Sequence, residues 1–359
     1  MNFYDALQMD PAGLKKQIRT SDAPAYRWKM LGAMALRSLL LVIFSTLVIS
    51  PCAAGFGSEN SCMAVALLCI LLGIRFVDLG YCIRDSLLNL AVVFALLWLA
   101  PSLAALVNPI WAIPIHVSAF FVILYMTSQH PEMGNAGLYT FSYVFLAGNP
   151  VSGSLLWRRG ALTLAGFAVC GAILYAKHRS KHRELSFRSI VKQSRLTDPK
   201  LLWQLQLALG VGLLLGLGNL HENRRMMWAA FACGSVLGCY QVSETGIRER
   251  FSQRIVGTLL GTGAYCLAYW LIPGELHSMF GLAGGLILGF CADYRTKTAC
   301  NCLGALFIAT SLFGLQDTVL LRLGHNLAGV VFGYLVWLLG REIGKKLRPT
   351  SAAQPVQGA

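Results

Sequence analysis

The stretch that decides the fold is Leu87–Ala100, LLNLAVVFALLWLA, which carries no charge and a single polar side chain, Asn89. Wound as a helix it presents apolar groups around its whole circumference, whereas a helix covering a soluble core keeps one polar face. Leu36–Ile49, Val117–Met126 and Ala161–Ala176 read the same way. Runs that are continuous rather than alternating predict membrane helices and not a barrel. Working outward, the candidate spans are 31–50, 61–77, 86–101, 109–127, 137–149 and 157–176, then 201–219, 226–243, 254–272, 278–293, 299–315 and 319–340. The expected fold is all-α: a polytopic membrane protein of about twelve transmembrane helices. It is read as two parallel six-helix repeats, each open to division into two inverted three-helix units.

Whole-chain composition agrees. The 359 residues are 56% hydrophobic and 13% charged, with mean hydropathy +0.59, whereas hydrating a soluble surface takes about a quarter charged residues. The net charge of +14 is concentrated in Lys15–Lys29, Lys177–Lys200 and Arg341–Arg348. Each cluster flanks an apolar block, the pattern that cytoplasmic retention of Lys and Arg produces. The expected layout is a cytoplasmic N-terminal segment (1–29), a first membrane half (30–176), a basic cytoplasmic linker (177–200), a second membrane half (201–341) and a cytoplasmic tail (342–359). That places a multi-pass protein in the cell's inner (plasma) membrane with both termini inside. The first 29 residues are mostly polar and do not read as a signal peptide.

Several function classes are excluded. No basic platform interleaved with aromatics is present, so nucleic acid is not an expected partner; membrane lipid and a small organic anion are. The eleven cysteines lie mostly in apolar segments, where thiols act as small hydrophobes. Cys300-Asn301-Cys302 lacks a second ligand pair, so no metal site is expected. Phosphate-loop, zinc-protease and nucleophile-elbow signatures are missing, so neither an enzyme nor a cofactor is expected.

One short pattern recurs. Arg254, Thr258 and Gly261 open one span; Arg322, Asn326 and Gly329 open another; Arg159, Thr163 and Gly166 open a third. Arg84-Asp85-Ser86-Leu87-Leu88-Asn89 is a degraded copy. Positions i, i+4 and i+7 share a helix face, so each copy sets a cation, a hydrogen-bonding group and a close-approach glycine in one stripe. Such arginines either draw an anion into a cavity between the halves or snorkel to lipid headgroups. His325 is a candidate proton carrier or a packing histidine bonded to a carbonyl. Asp78 and Glu244 either exchange protons or sit in solvated turns. His116, beside Pro114, is a cavity candidate or a satisfied core histidine. Trp228 anchors at an interface or offers a stacking surface. Gly212/Gly216 and Gly257/Gly261 read as helix-packing pairs.

Arg225-Met226-Met227-Trp228-Ala229-Ala230, then Tyr240-Gln241, then Arg254-x-x-Gly257-Thr258-x-x-Gly261 follow one another in the second half. This order resembles the fusaric acid resistance protein family, aromatic acid exporters related to aluminium-activated malate channels. The resemblance is best over 200–345 and fainter over 30–176. It implies a secondary exporter of aromatic or other organic carboxylates, driven by an ion gradient and read here as proton-coupled. An organic-anion channel and a non-transporting scaffold subunit are the alternatives. The expected substrate site is Arg254, Thr258, Arg322, Asn326, Trp228, Tyr240 and Gln241. His325, Glu244 and Asp78 are the proton-coupling set, and His116, Arg159, Thr163 and Arg84 the further cavity candidates. A second copy or a periplasmic adaptor would be the protein partner. Two departures from the family stand out: no large soluble domain follows either half, and Leu87 and Leu88 replace Gly and Thr.

Overall fold

The computed structural model describes residues 2–195, 197–223, 225–240 and 244–347. Among these residues the chain is helical with no strand. Two short helices, α1 (Phe3–Gln8) and α2 (Pro11–Thr20), precede the first apolar set: α3 (Pro24–Phe56), α4 (Ser61–Ile74), α5 (Ile83–Leu106), α6 (Pro109–Thr127), α7 (Asn135–Ala147) and α8 (Gly153–His178). A linker helix α9 (Phe187–Gln193) leads to the second set: α10 (Pro199–Leu220), α11 (Met226–Leu237), α12 (Glu244–Leu271), α13 (Phe280–Leu288), α14 (Tyr294–Phe313) and α15 (Leu315–Leu347). Local chemistry sets several boundaries. α6 and α10 each begin with Pro at the first turn behind a capping side chain, Asn108 on the Ile110 N–H and Asp198 on the Lys200 N–H, a position where the missing N–H of Pro costs nothing. Asp293 caps α14 through the Thr296 N–H at 2.9 Å.

By length and composition, α3, α5, α6, α8, α10 and α15 can each cross a membrane. Six of the twelve expected spans meet that criterion. α4, α7, α11 and α13 have 14, 13, 12 and 9 residues, lengths of about 21 Å down to about 13 Å against a hydrocarbon core of about 30 Å. α12 is long enough, but its first three turns carry Glu244, Arg248, Glu249, Arg250 and Arg254. Hydropathy cannot separate these cases, because a side chain buried in protein is as apolar as one facing lipid. Ala229, Ala230, Ala232, Cys233 and Val236 of α11 are all fully buried, as are Met63, Ala66 and Ile70 of α4.

The loops between apolar helices sort onto two faces. On the linker face, Cys82 N–H donates to Leu185 O at 2.8 Å, Phe187 N–H to Asp85 at 2.7 Å, and Tyr125 pairs with Ser194 at 2.7 Å. On the opposite face, Arg159 joins the turns at Asn60 and Asn149, Asn219 reaches Ala104 O, and Arg225 lies 4.1 Å from the Phe313 ring centre. The first set packs on the second where α10 crosses α6. A Cβ on Gly212 would sit 2.8 Å from Val117 Cα, and one on Gly216 2.8 Å from Ile113 Cα, so only glycine permits this approach. α3 meets α13, with Ser38 Oγ donating to Leu286 O at 2.6 Å. The main apolar core is built from α4–α8, α10 and α11; α12, α14 and α15 share only small separate clusters.

Asp78 is the centre of the linker-face contacts. Its buried carboxylate lies 3.3 Å from both Lys181 Nζ and His182 Nε2 and accepts from the Gly80 N–H at 2.9 Å. Burial pushes its pKa up, but His182, Lys181 and that N–H outweigh burial and hold it below the ordinary value. Asp78 thus ties the linker to the turn before α5. A carboxylate whose folded pKa is depressed stabilises the fold above the ordinary carboxylate range and loses that contribution as pH falls through the folded value. Asp78→Asn is therefore expected to lower Tm at pH 7. Scans from pH 7 to 3 should show the gap to wild type closing below about pH 4.

Candidate functional site

The sequence stripe on α12 extends further than its first reading. Arg250, Arg254, Thr258, Thr262 and Tyr265 are spaced four, four, four and three, which holds them on one face along about 22 Å of helix. α14 answers with Tyr294, Thr298, Cys302 and Thr310, and α15 with Thr318, Arg322 and Asn326. The helices close on this polar seam through glycine. A Cβ at Gly257 would lie 2.7 Å from Arg295 O, and one at Gly261 2.7 Å from Ala299 Cα.

At the middle of the seam, Arg254 Nη2 donates to Asn326 Oδ1 at 3.0 Å, and Asn326 Nδ2 donates to Arg322 O at 2.8 Å. The Arg322 guanidinium lies 5.5 Å from the Trp228 ring centre, and the Trp228 ring stands edge-on to His325 at 6.3 Å. His325 Nδ1 is 2.8 Å from Leu321 O. Arg322 is 8% exposed, Thr258 4% and Asn326 3%. Arg254 lies ten positions in from the linker-face end of α12, and Asn326 eleven in from the opposite end of α15, so each stands roughly 15 Å along its helix from that end. Arg254, Thr258, Arg322, Asn326, Trp228 and His325 are thus brought together.

The electrostatics are one-sided. Among the described residues, no carboxylate lies within ion-pair distance of Arg250, Arg254 or Arg322. The Nε of each arginine and the hydroxyls of Thr258, Thr262, Tyr265, Tyr294, Thr310 and Thr318 have no aligned hydrogen-bond partner, although Tyr265 and Thr310 face each other and Arg322 faces Cys302. These are nine of fifteen such buried atoms among the described residues, so the deficit is concentrated on three helices. Each costs about 1–3 kcal/mol, and an uncompensated cation costs more. What the seam can do chemically is donate hydrogen bonds and positive charge to an anion.

Other expected positions separate from this group. Arg159 does not snorkel and lines no cavity: it is fully buried, with Nε donating to Asn60 Oδ1 at 2.8 Å and Nη2 to Glu59 O and Asn149 O at 3.1 and 3.0 Å. Thr163 donates back to Arg159 O at 2.7 Å. Protein acceptors therefore occupy this copy of the motif, and it ties turns together. Arg159→Met strands those acceptors and is expected to cost about 3 kcal/mol or more of stability, read as a fall in Tm with transport intact in the folded fraction. Arg84 is exposed on α5 and lines no cavity. His116 lies in packed core, bonded to Tyr143 at 3.0 Å, rather than in a void.

Tyr240 and Glu244 line a different place, a linker-face cavity of about 330 Å³ with Trp203, Trp337, Arg341 and Lys345, within the size range of small-molecule pockets. Glu244 is engaged by Arg341 and, at 2.6 Å, by Arg248. The hydrogen bond from Arg341 foremost, then the Arg248 charge, lowers its pKa against the opposing effect of burial. Through Arg341 it ties α12 to α15. Gln241 lies outside the described residues. A second cavity, about 300 Å³, opens on the opposite face between the two sets of helices, lined by Pro109, Gly148, Asn219 and Met226 among others, with no lysine or arginine among the described residues. Glycine packing brings α6 and α10 together at their crossing, and the cationic groups Arg250, Arg254 and Arg322 lie on helices of the second set. Arg250, Tyr294, Thr262, Tyr265 and Thr298 were missed; the four-residue spacing extended one turn either way from Arg254–Thr258 points to Arg250 and Thr262, whereas Tyr294 and Thr298 lie on a different helix, α14.

Residues 207–336 match the family model described as fusaric acid resistance protein-like. That range holds Trp228, Arg250, Arg254, Tyr294, Arg322 and Asn326, the whole of the seam. Comparison with curated proteins and with solved structures found no match. The family match supports a membrane protein with a transporter-type role in general. The resemblance carried by Arg225–Gly261 is thereby shown: over residues 207–336 the chain is similar to the fusaric acid resistance protein-like family.

Proposed function

We propose that the protein is a secondary exporter of aromatic or other organic carboxylate anions, and that the anion passes along the seam between α12, α14 and α15. One observation carries the reading: buried Arg322 and half-buried Arg254 meet through Asn326, with no carboxylate within ion-pair distance of either among the described residues. A carboxylate arriving there satisfies the Nε donors and the Thr258 hydroxyl together, which converts the cost of the empty site into binding energy. The Trp228 ring beside Arg322 offers an apolar face next to the cation, which suits a carboxylate carried on an aromatic ring. An anion on Arg254 competes with Asn326 Oδ1, the acceptor that bridges α12 to α15, so binding loosens this bridge. His325, with Nδ1 engaged by Leu321 O, keeps Nε2 for a proton and is the coupling residue.

The wider arrangement belongs to the same proposal. Twelve apolar helices insert in the membrane as two parallel sets of six. The reciprocal packing of α6 on α10 and α3 on α13, fourth helix on first in each direction, supports this reading. The basic linker places the linker face in the cytoplasm of a cell bounded by this inner membrane, with both termini inside. Cells lacking the protein are expected to be sensitised to aromatic acids, and benzoate flux from proteoliposomes is expected to stop when the proton gradient is collapsed. Flux that persists without the gradient and scales with anion concentration would establish the channel alternative instead.

A further inference from the structure

We propose that Arg250 and Tyr294 form a second anion-binding station at the linker-face mouth of the seam, taking carboxylates before they reach Arg254. The inference rests on the reading of the seam as an anion path, and adds a site to it.

Tyr294 is the first residue of α14, and Arg250 lies six positions from the start of α12, so the pair stands near the linker-face end of both helices. The Arg250 guanidinium carbon sits 3.8 Å from the Tyr294 ring centre. That contact satisfies the face of the cation and leaves its edge. Arg250 Nε and the Tyr294 hydroxyl are both buried without an aligned hydrogen-bond partner. Nearby carboxylates are committed elsewhere: Glu244 to Arg248 and Arg341, Glu249 to Gln253, and Asp293 to Thr296. Two donors on one stacked pair, with positive charge and no acceptor of their own, match the two oxygens of a carboxylate. Arg250 and Arg254 are one helical turn apart, about 6 Å along the axis, a spacing short enough for an anion to pass from one guanidinium to the next. Stacking on Tyr294 also fixes Arg250, so little side-chain freedom is lost on binding.

The test is sided transport kinetics. Wild type, Arg250→Gln, Arg250→Lys, Tyr294→Phe and Arg322→Gln are reconstituted in both orientations, and benzoate is presented from each side. Arg250→Gln is expected to raise the KM about tenfold or more from the linker-face side, the loss of one charge-assisted contact, while leaving the KM from the other side unchanged. Arg250→Lys should recover part of the affinity, and Tyr294→Phe, which keeps the ring, should raise the same sided KM by a smaller factor. A melting curve on each variant separates loss of folding from loss of binding. Unchanged KM on both sides in folded Arg250→Gln, with Arg322→Gln inactive, overturns the station and leaves the seam. Equal changes on both sides make Arg250 a general contributor and overturn the mouth assignment. Wild-type flux in folded Arg322→Gln removes the underlying reading instead.

Discussion

Arg322→Met is expected to melt a few degrees higher than wild type and to transport anions about a hundredfold more slowly. The two effects have one origin. Arg322 is almost fully buried, with an unpaired Nε and, among the described residues, no carboxylate within ion-pair distance. Replacing an ill-compensated buried charge by an apolar side chain of similar length commonly stabilises by about 1–4 kcal/mol. Losing one desolvated, charge-assisted contact to the anion costs up to about 3 kcal/mol, roughly two factors of ten. Opposite signs for stability and activity mark a residue retained for function. Arg159→Met is the internal contrast. Both arginines are buried at the same place in the same short motif, yet Arg159 has three oxygen acceptors, and its loss should lower Tm. Parallel melting and flux measurements on the two variants check both signs at once.

Gly329→Val is expected to prevent stable folding of the second set of helices. A Cβ at position 329 would lie 2.7 Å from the Ala229 Cα on α11, a backbone atom that no rotamer change can move. α15 would be pushed off α11, at a cost of about 3 kcal/mol or more. The same displacement separates Arg322 from Trp228, so any protein that does fold should carry little flux. Gly324→Ala supplies the control. Nothing lies within 4 Å of a Cβ there, and alanine gains about 0.5–1 kcal/mol over glycine in a helix. Loss of the folded peak in size-exclusion chromatography for Gly329→Val, with Gly324→Ala at or above wild type, is the expected outcome.

These contrasts show where the sequence was informative. The apolar helices were legible because continuous hydropathy marks burial in any apolar medium, and the boundaries of α6 fall where Asn108-Pro109 and Thr127 put them. The same insensitivity hid the shortness of α11 and α13, whose side chains look as apolar among neighbours as among lipids. Within the site, Arg254, Thr258, Arg322 and Asn326 were legible because a cation and a polar group four residues apart in an apolar run share a face. What one stripe cannot tell is what it meets. The Arg159 stripe meets Asn60 and backbone carbonyls and is structural, while the Arg254 stripe meets a second arginine. That distinction depends on partners about 70 to 100 residues away, which no local pattern encodes. Glu244 and Asp78 illustrate the same point: the cations that engage them, Arg341 and Lys181, lie about a hundred residues downstream.

The most direct measurement is benzoate flux through the Arg254→Gln/Arg322→Gln double variant, reconstituted in proteoliposomes at the same protein density as wild type and shown to be folded by melting. If the seam carries the anion, saturable flux in wild type should fall by a hundredfold or more, toward the level of empty vesicles, as two desolvated contacts are lost. Wild-type flux through the folded double variant would contradict the account and move the path elsewhere in the protein.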